Sequence, residues 1–216
     1  MTYWLARATS ILLTLCTTAA IWWGGGVVRA ADFLNPAPPS PYAPGGVVDP
    51  ADMFEARFGV FVHIEGSVDS YTADLNGSLV TPRLWFGPKG WWAFLVPRVE
   101  VGGAGNLSNR TSFGYAAALW TIPVWDKLFV EGFVGPAVHN GSLTPTATLN
   151  GLGCPVVIRA GASLGYRFNE RWSVMGTFEH LSNGKTVFGF DCGTNQAATG
   201  SNQGLNNYGV RLGYTF

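Results

Sequence analysis

The sequence predicts an all-β fold, an eight-stranded antiparallel transmembrane β-barrel. Three observations predict it: an even number of segments with alternating polarity, connections that alternate between short and long, and charges confined to one strand face. Aromatic residues make up 14% of the 216-residue chain and charged residues only 12%, with 29 glycines. Beyond residue 30 no run of eighteen apolar residues occurs, so strands rather than helices would cross the membrane.

The first 30 residues are typical of an export signal. Arg7 supplies a positive charge, residues 11–23 form an apolar core, and Val28-Arg29-Ala30 presents small residues for a signal peptidase. We expect cleavage before Ala31. An uncleaved membrane anchor is the alternative because residues 8–28 carry no charge, although three consecutive glycines and several threonines weaken it.

The mature chain is expected to divide into a Pro-rich periplasmic segment over residues 31–53 and a barrel over 54–216. Prolines throughout residues 34–50 exclude a helix or a central strand there. Loss of Arg7 and Arg29 leaves 11 of the 13 basic residues against 13 acidic ones. This nearly neutral, scattered charge excludes a nucleic-acid partner and favours contact with membrane lipids.

Alternating polarity places the strands and, between them, the connections. The expected strands cover residues 54–64, 72–84, 91–102, 111–124, 128–139, 156–168, 172–183 and 206–216. Short turns are expected at 85–90, 125–127 and 169–171, and longer loops at 65–71, 103–110, 140–155 and 184–205. Barrels of this kind turn tightly on the periplasmic side and carry longer loops outside, which puts both termini in the periplasm.

The last strand shows which strand face is the lumen. Tyr208, Val210 and Leu212 alternate with Gly209 and Arg211. A charge on the lipid side near the midplane would cost about 2–4 kcal/mol, so the arginine side faces inward. The charged residues expected inside are Glu55, Arg57, Arg98, Glu100, Glu131, Arg159, Arg167, Glu179 and Arg211. Eight strands enclose a space that side chains just fill, which predicts a packed ionic interior.

Two cysteines, Cys154 and Cys192, remain once the signal with Cys16 is removed. An even pair in an oxidising compartment predicts a disulfide, which would join the third long loop to the fourth; two unpaired thiols are the alternative. The sequence has no cluster of cysteines and histidines with metal-ligand spacing, so no metal site is expected.

One familiar hydrolase motif is predicted to be structural. Residues 161–165 read G-x-S-x-G, but that nucleophile motif needs a sharp strand-to-helix turn, whereas Ser163 lies mid-strand and faces the lumen. His63 and His139, near the outer strand ends on the inward side, are also assigned structural roles.

The end of the seventh strand carries the candidate chemistry. By parity His180 and Ser182 share the lipid-facing side with Phe178, about 6.6–7 Å apart along the backbone. An imidazole at that spacing can activate a serine hydroxyl. The alternative is an interfacial rim in which polar residues meet headgroups. A His-x-Ser pair followed by Asn183 and Gly184 on the lipid side favours catalysis.

Two short motifs resemble the bacterial outer-membrane lipid A 3-O-deacylases. They are His180-Leu-Ser-Asn-Gly184 and Asn202-Gln-Gly-Leu-Asn206, followed by a similar closing strand over 208–216. Residues 58–63 and 75–77 match less specifically. The resemblance implies an enzyme that removes an ester-linked acyl chain from lipid A in the outer leaflet without a cofactor.

The resemblance also implies roles for individual residues. Ser182 would be the nucleophile and His180 the general base, and Asn202, with Asn183 or the Gly184 backbone, would stabilise the oxyanion.

Asn206 departs from the family pattern, in which a glutamate follows the loop glycine at this spacing. A glutamate would stabilise the imidazolium, whereas an asparagine can only accept a hydrogen bond and hold the ring tautomer. Asn206 has the outward parity of Tyr208 and opens the eighth strand, so we expect it beside His180; Glu179 points to the lumen. We expect a weaker or differently tuned hydrolase.

The sequence is also compatible with two other functions. A non-catalytic surface, adhesion or scaffold barrel is the main alternative, and Asn206 is the residue that keeps it open. Acyl transfer to lipid A would need an acyl cavity inside the barrel, and the charged inward residues argue against one.

Overall fold

A computed structural model describes residues 49–63, 71–84, 94–184 and 203–216. The expected signal and most of the Pro-rich segment lie outside the described residues, as do Cys192 and Asn202. Within the described ranges no helix is long and apolar enough to cross a membrane.

Eight antiparallel strands pair in chain order and close into a barrel, as the sequence predicts. The strands are β1 (Glu55–His63), β2 (Ala73–Val80), β3 (Arg98–Asn106), β4 (Phe113–Trp125), β5 (Leu128–His139), β6 (Val156–Arg167), β7 (Trp172–Ser182) and β8 (Leu205–Thr215). Closure comes from pairing of β1 with β8, from Glu55 opposite Thr215 to His63 opposite Asn207. A single turn of 3₁₀ helix, Pro50–Asp52, precedes β1.

The prediction is wrong in the region of β3. We expected a strand over 91–102, but residues 94–97 are not in a strand and β3 begins only at Arg98. The short turn expected at 85–90 lies outside the described residues. β2 ends at Val80, and neither Pro82 after it nor Pro97 before β3 can donate to a strand ladder. The first half of the expected loop, residues 103–106, is instead strand, because this stretch pairs with β2 on one side and β4 on the other.

The 3₁₀ turn before β1 is held by charge at the barrel end where the chain enters. Asp49 caps it by accepting from the Ala51 amide at 2.9 Å, and Arg83 bonds to Asp49 and to Asp52. Burial of Asp49 raises the pKa of its carboxyl, but the Ala51 amide and the Arg83 guanidinium outweigh burial and hold that pKa below its usual value.

The lumen contains the ionic network that the sequence predicts. Of the nine charged residues expected inside, all but Arg167 are at most 1% exposed. Arg57 joins Glu55 at 2.9 Å and Glu131 at 2.8 Å. Arg159 and Arg211 both reach Glu100, at 3.3 and 2.6 Å. These contacts pair the buried charges with each other.

Arg167 and the inward polar residues complete this filling. Arg167 is partly buried and lies over the ring of Phe129, 4.5 Å from its centroid. Ser163 is 3% exposed, shares a 2.9 Å hydrogen bond with the Thr177 hydroxyl and accepts from Arg211 at 3.1 Å. The G-x-S-x-G serine is therefore a structural contact inside the barrel, as expected.

The two other histidines also make structural contacts. His63 is 1% exposed and its Nε2 lies 2.8 Å from the Asp74 carboxylate. The Nε2 atom of His139 lies 2.7 Å from the carbonyl oxygen of Cys154. Both contacts tie a strand end to the neighbouring structure.

The candidate site on the outer barrel wall

The end of β7 presents His180 and Ser182 to the outside of the barrel. Both residues are half-buried. Leu181, which lies between them, and Glu179, which precedes His180, are both 0% exposed. Along the same strand Gly176 and Phe178 are exposed, and Met175 and Thr177 are buried. The alternation confirms the predicted lipid-facing side for both site residues.

Asn206 lies beside His180, as its parity predicts. The two residues are register partners across β7 and β8, and the His180 Nδ1 atom lies 2.6 Å from the Asn206 Oδ1 atom. An amide oxygen only accepts hydrogen bonds, so Nδ1 carries the proton in this pair. The tautomer so fixed leaves the lone pair of Nε2 available as a base.

Gly204 closes the other edge of the imidazole, which the sequence reasoning missed. Its φ is +67°, a conformation that L side chains rarely adopt. A Cβ at this position would lie 2.7 Å from Cε1 and 3.3 Å from Nε2 of His180. The glycine belongs to the Asn202–Asn206 motif, so the sequence shows its position. The sequence does not show that its φ is positive or that it contacts the His180 ring.

Of the three residues expected to stabilise the oxyanion, the structure describes two, Asn183 and Gly184. Asn183 is 3% exposed directly after β7, and Gly184 follows with φ +68°. This φ lies in the left-handed region, which glycine adopts without steric cost. Asn202 lies outside the described residues, so its place beside Ser182 stays a prediction.

An apolar groove runs over the wall on the membrane side of the site. The Phe178 and Tyr208 rings contact each other at a tilt, 4.9 Å between centroids, two register pairs along the strands from His180 and Asn206. Small residues beside these rings leave open space on the outer surface. A Cβ at Gly176 would meet nothing within 4 Å, and the residue opposite Phe178 is Ala162. The outward lining residues are Val130, Ala162, Leu164, Gly176, Phe178 and Tyr208.

The sequence also raises the questions of a disulfide at Cys154 and of a metal site. The Cys154 sulfur forms a disulfide, and Cys192, the partner the sequence predicts, lies outside the described residues. Across the described parts of the chain, no group of three His, Cys, Asp or Glu side chains could hold a metal ion.

Fold and site together define an integral barrel with a polar, histidine-containing site on its lipid-facing wall. The family model described as "Lipid A 3-O-deacylase (PagL)" matches residues 63–215. The chain belongs to this family. Membership locates it in the bacterial outer membrane and classes it as a lipid A deacylase, a hydrolase.

Solved structures with similar folds are also barrels. The crystal structure of the outer membrane enzyme PagL is 17% identical, covering 74% of this chain and 97% of that one, with a TM-score of 0.49. The N-terminal β-barrel domain of Pseudomonas aeruginosa OprF is 11% identical, covering 76% and 98%, with a TM-score of 0.48. A de novo designed transmembrane β-barrel is 14% identical, covering 76% and 96%, with a TM-score of 0.46. No curated relative matches the chain.

Proposed function

We propose that the chain is a serine esterase that removes an ester-linked acyl chain from lipid A, with Ser182 as nucleophile and His180 as general base. One observation carries the proposal: the outward-facing His180 is oriented by Asn206 through a 2.6 Å contact at Nδ1. Ser182 follows on the same strand face. An oriented imidazole with Nε2 available, next to a serine, is the arrangement that activates a hydroxyl.

The reaction follows from this arrangement. His180 Nε2 takes the Ser182 hydroxyl proton as Oγ attacks the acyl carbonyl carbon, forming a tetrahedral oxyanion. The ester C–O bond then breaks, and the imidazolium returns the proton to the leaving sugar oxygen. A water molecule, deprotonated by His180, attacks the acyl-enzyme. Collapse of the second intermediate frees the fatty acid and restores the Ser182 hydroxyl.

Asn206 sets the rate that this site can reach. Its oxygen holds the productive tautomer of His180, as an acidic third residue would. It carries no charge, so it cannot offset the positive charge that the ring gains when it takes the serine proton. We therefore propose a slower hydrolase than a family member with glutamate at this position.

The oxyanion donors rest on the family resemblance. Asn202, Asn183 and the Gly184 backbone are proposed to donate hydrogen bonds to the oxyanion. Asn183 and Gly184 support this role by their place in the chain, because they directly follow Ser182 at the end of β7 and Gly184 has a left-handed φ of +68°.

The groove supports a substrate with long apolar chains. The site opens to lipid and not to the lumen, so a molecule of the outer leaflet can approach sideways without leaving the membrane. An acyl chain lying along Gly176, Phe178 and Leu164 would keep its apolar contacts while its ester reaches Ser182. Outer-leaflet lipid A has this geometry, with acyl chains inside the membrane and ester bonds near the headgroup.

The test is lipid A mass spectrometry of cells that express the chain. Wild type should remove one acyl chain, and Ser182→Ala should leave lipid A intact. Ser163→Ala is the matched control, because it deletes the same hydroxyl from the lumen and should keep the activity. Barrel folding is checked for each protein by its migration on gels with and without heating. Unchanged lipid A with folded wild type would contradict the proposal and support a non-catalytic surface barrel instead.

A further inference from the structure

The loop between β5 and β6, residues 140–155, is joined to the short segment that opens β8. Asn150 Nδ2 donates to the Gly204 carbonyl oxygen at 2.9 Å. The Gly151 amide donates to Gln203 Oε1 at 2.9 Å, and the Gln203 amide donates back to the Gly151 carbonyl at 3.1 Å. Three hydrogen bonds between segments more than fifty residues apart in sequence make one continuous joint.

The bond between Asn150 and Gly204 is buried, and the loop that carries Asn150 packs directly beneath the site. Asn150 is 2% exposed. Leu152, at 0%, belongs to an apolar cluster with Leu181 and Leu205. These two leucines flank His180 and Asn206 along β7 and β8 and point inward, so the loop packs against the inner side of both strands.

Gly204 connects this joint to the imidazole. Its carbonyl oxygen receives the Asn150 hydrogen bond, while its Cα hydrogens face the Cε1–Nε2 edge of His180. The contact is close enough that a Cβ would have to displace the ring. A shift of the Gly204 peptide therefore changes the space in which the ring can rotate about the Nδ1 contact to Asn206.

We propose that Asn150 is a positioning residue for the hydrolysis. It holds the Gly204 peptide against the Cε1–Nε2 edge of the His180 ring, so that the ring keeps one orientation while Asn206 holds Nδ1. Asn150 acts through Gly204 and does not touch the substrate. The inference rests on the proposed function, since it assigns a role only if His180 is the general base.

Asn150→Asp tests this assignment with almost no change in side-chain volume. The aspartate replaces the donor that faces the Gly204 carbonyl with an acceptor, so the hydrogen bond is lost and two oxygens oppose each other. In assays of the purified full chain on lipid A in mixed micelles, we expect kcat to fall about 10- to 100-fold. KM should stay within about twofold, because the groove is unchanged.

The matched control is Asn140→Asp, the same substitution in the same loop. The Asn140 Oδ1 atom accepts from the Ser112 amide at 2.8 Å, and a carboxylate keeps that bond. Its kcat should equal that of wild type. Should Asn150→Asp not fold, Asn150→Ala serves the same purpose, because it deletes the donor without adding a charge.

Ring ¹⁵N NMR supplies a readout that mere loop loosening would not change. The chain has three histidines, and His180→Gln assigns the His180 signals. In the neutral form of the wild-type ring, Nδ1 should carry the proton and Nε2 should be unprotonated. Asn150→Asp should shift or broaden this pair, and Asn140→Asp should not.

The outcomes separate the two proposals. A lower kcat with a changed His180 ring signal supports the positioning role. Wild-type kcat in folded Asn150→Asp, or a lower kcat with an unchanged ring signal, overturns the role of Asn150 and leaves the esterase standing if Ser182→Ala is inactive. Full activity in Ser182→Ala would overturn the esterase and this inference together.

Discussion

Ser163 and Ser182 lie on neighbouring strands, yet on opposite sides of the same wall. Ser163 belongs to a G-x-S-x-G sequence, is 3% exposed and is engaged by Thr177 and Arg211. Ser182 belongs to the His-x-Ser pair and is half-buried on the outside of the barrel. It lies two residues from His180, which Asn206 orients. The better-known motif marks a structural residue, and the face of the strand decides which serine can meet a substrate.

The surroundings of the two serines differ in the same way. Inside the barrel, the fully buried charges form ion pairs: Arg159 bonds to Glu179 and Glu100, and Arg57 to Glu55 and Glu131. Outside, the partner of His180 is the Asn206 amide, which carries no charge. The lumen therefore supplies stability, and the wall can carry a group whose charge changes during reaction.

Of the three variants considered, Glu100→Gln should have the largest effect, and that effect should be a loss of stability. Glu100 bonds to Arg159, Arg211 and the Ser78 hydroxyl, all in the lumen. Neutralising it leaves two buried guanidiniums short of a partner, which should lower the free energy of unfolding by about 3–5 kcal/mol. Urea unfolding in detergent measures this, and the molecules that remain folded should keep wild-type kcat. Wild-type stability would show that the ion pairs do not support the barrel.

Asn206→Glu should have the next largest effect, and it should raise the rate. A carboxylate would stabilise the imidazolium that forms when His180 takes the serine proton, which an uncharged asparagine cannot do. We expect a gain of about a hundredfold in kcat in this half-exposed setting. Asn206→Gln, which has the length of glutamate without its charge, separates charge from size. Equal rates for both variants would contradict the charge argument.

Gly176→Leu should have the smallest effect, confined to substrate binding. Since nothing lies within 4 Å of a Cβ at Gly176, the barrel accepts the side chain, which then fills the groove. We expect kcat/KM on long-chain lipid A to fall about tenfold. Gly105→Leu, equally unobstructed but on β3, is the control and should not change activity. An unchanged Gly176→Leu enzyme would place the acyl chain elsewhere.

The sequence predicts the fold and the faces of the strands well, because both follow from alternation. Seven strands lie within a few residues of their expected positions, and the inward position of Arg211 or the pairing of Asn206 with His180 follows from parity alone. At β3 that signal fails. Its glycine-rich half has no polarity to alternate and becomes a strand only through its neighbours.

The support around the site could not be predicted in the same way. The contact between Asn150 and Gly204 joins a loop to a strand start across fifty-four residues, and no local pattern encodes such a distance. The close approach of Gly204 to the His180 ring likewise joins residues at the ends of two different strands, and no local pattern encodes it. Pairing of Cys154 with Cys192 stays a prediction of the sequence, as does the place of Asn202.

Covalent labelling of the folded barrel with a fluorophosphonate tests the central claim most directly. An activated serine attacks phosphorus and expels fluoride, so the adduct marks the nucleophile and peptide mass spectrometry locates it. The account predicts an adduct on Ser182, absent in His180→Ala, and no adduct on Ser163. Labelling of Ser163, or of Ser182 at an equal rate without His180, would contradict a nucleophile activated on the outer wall.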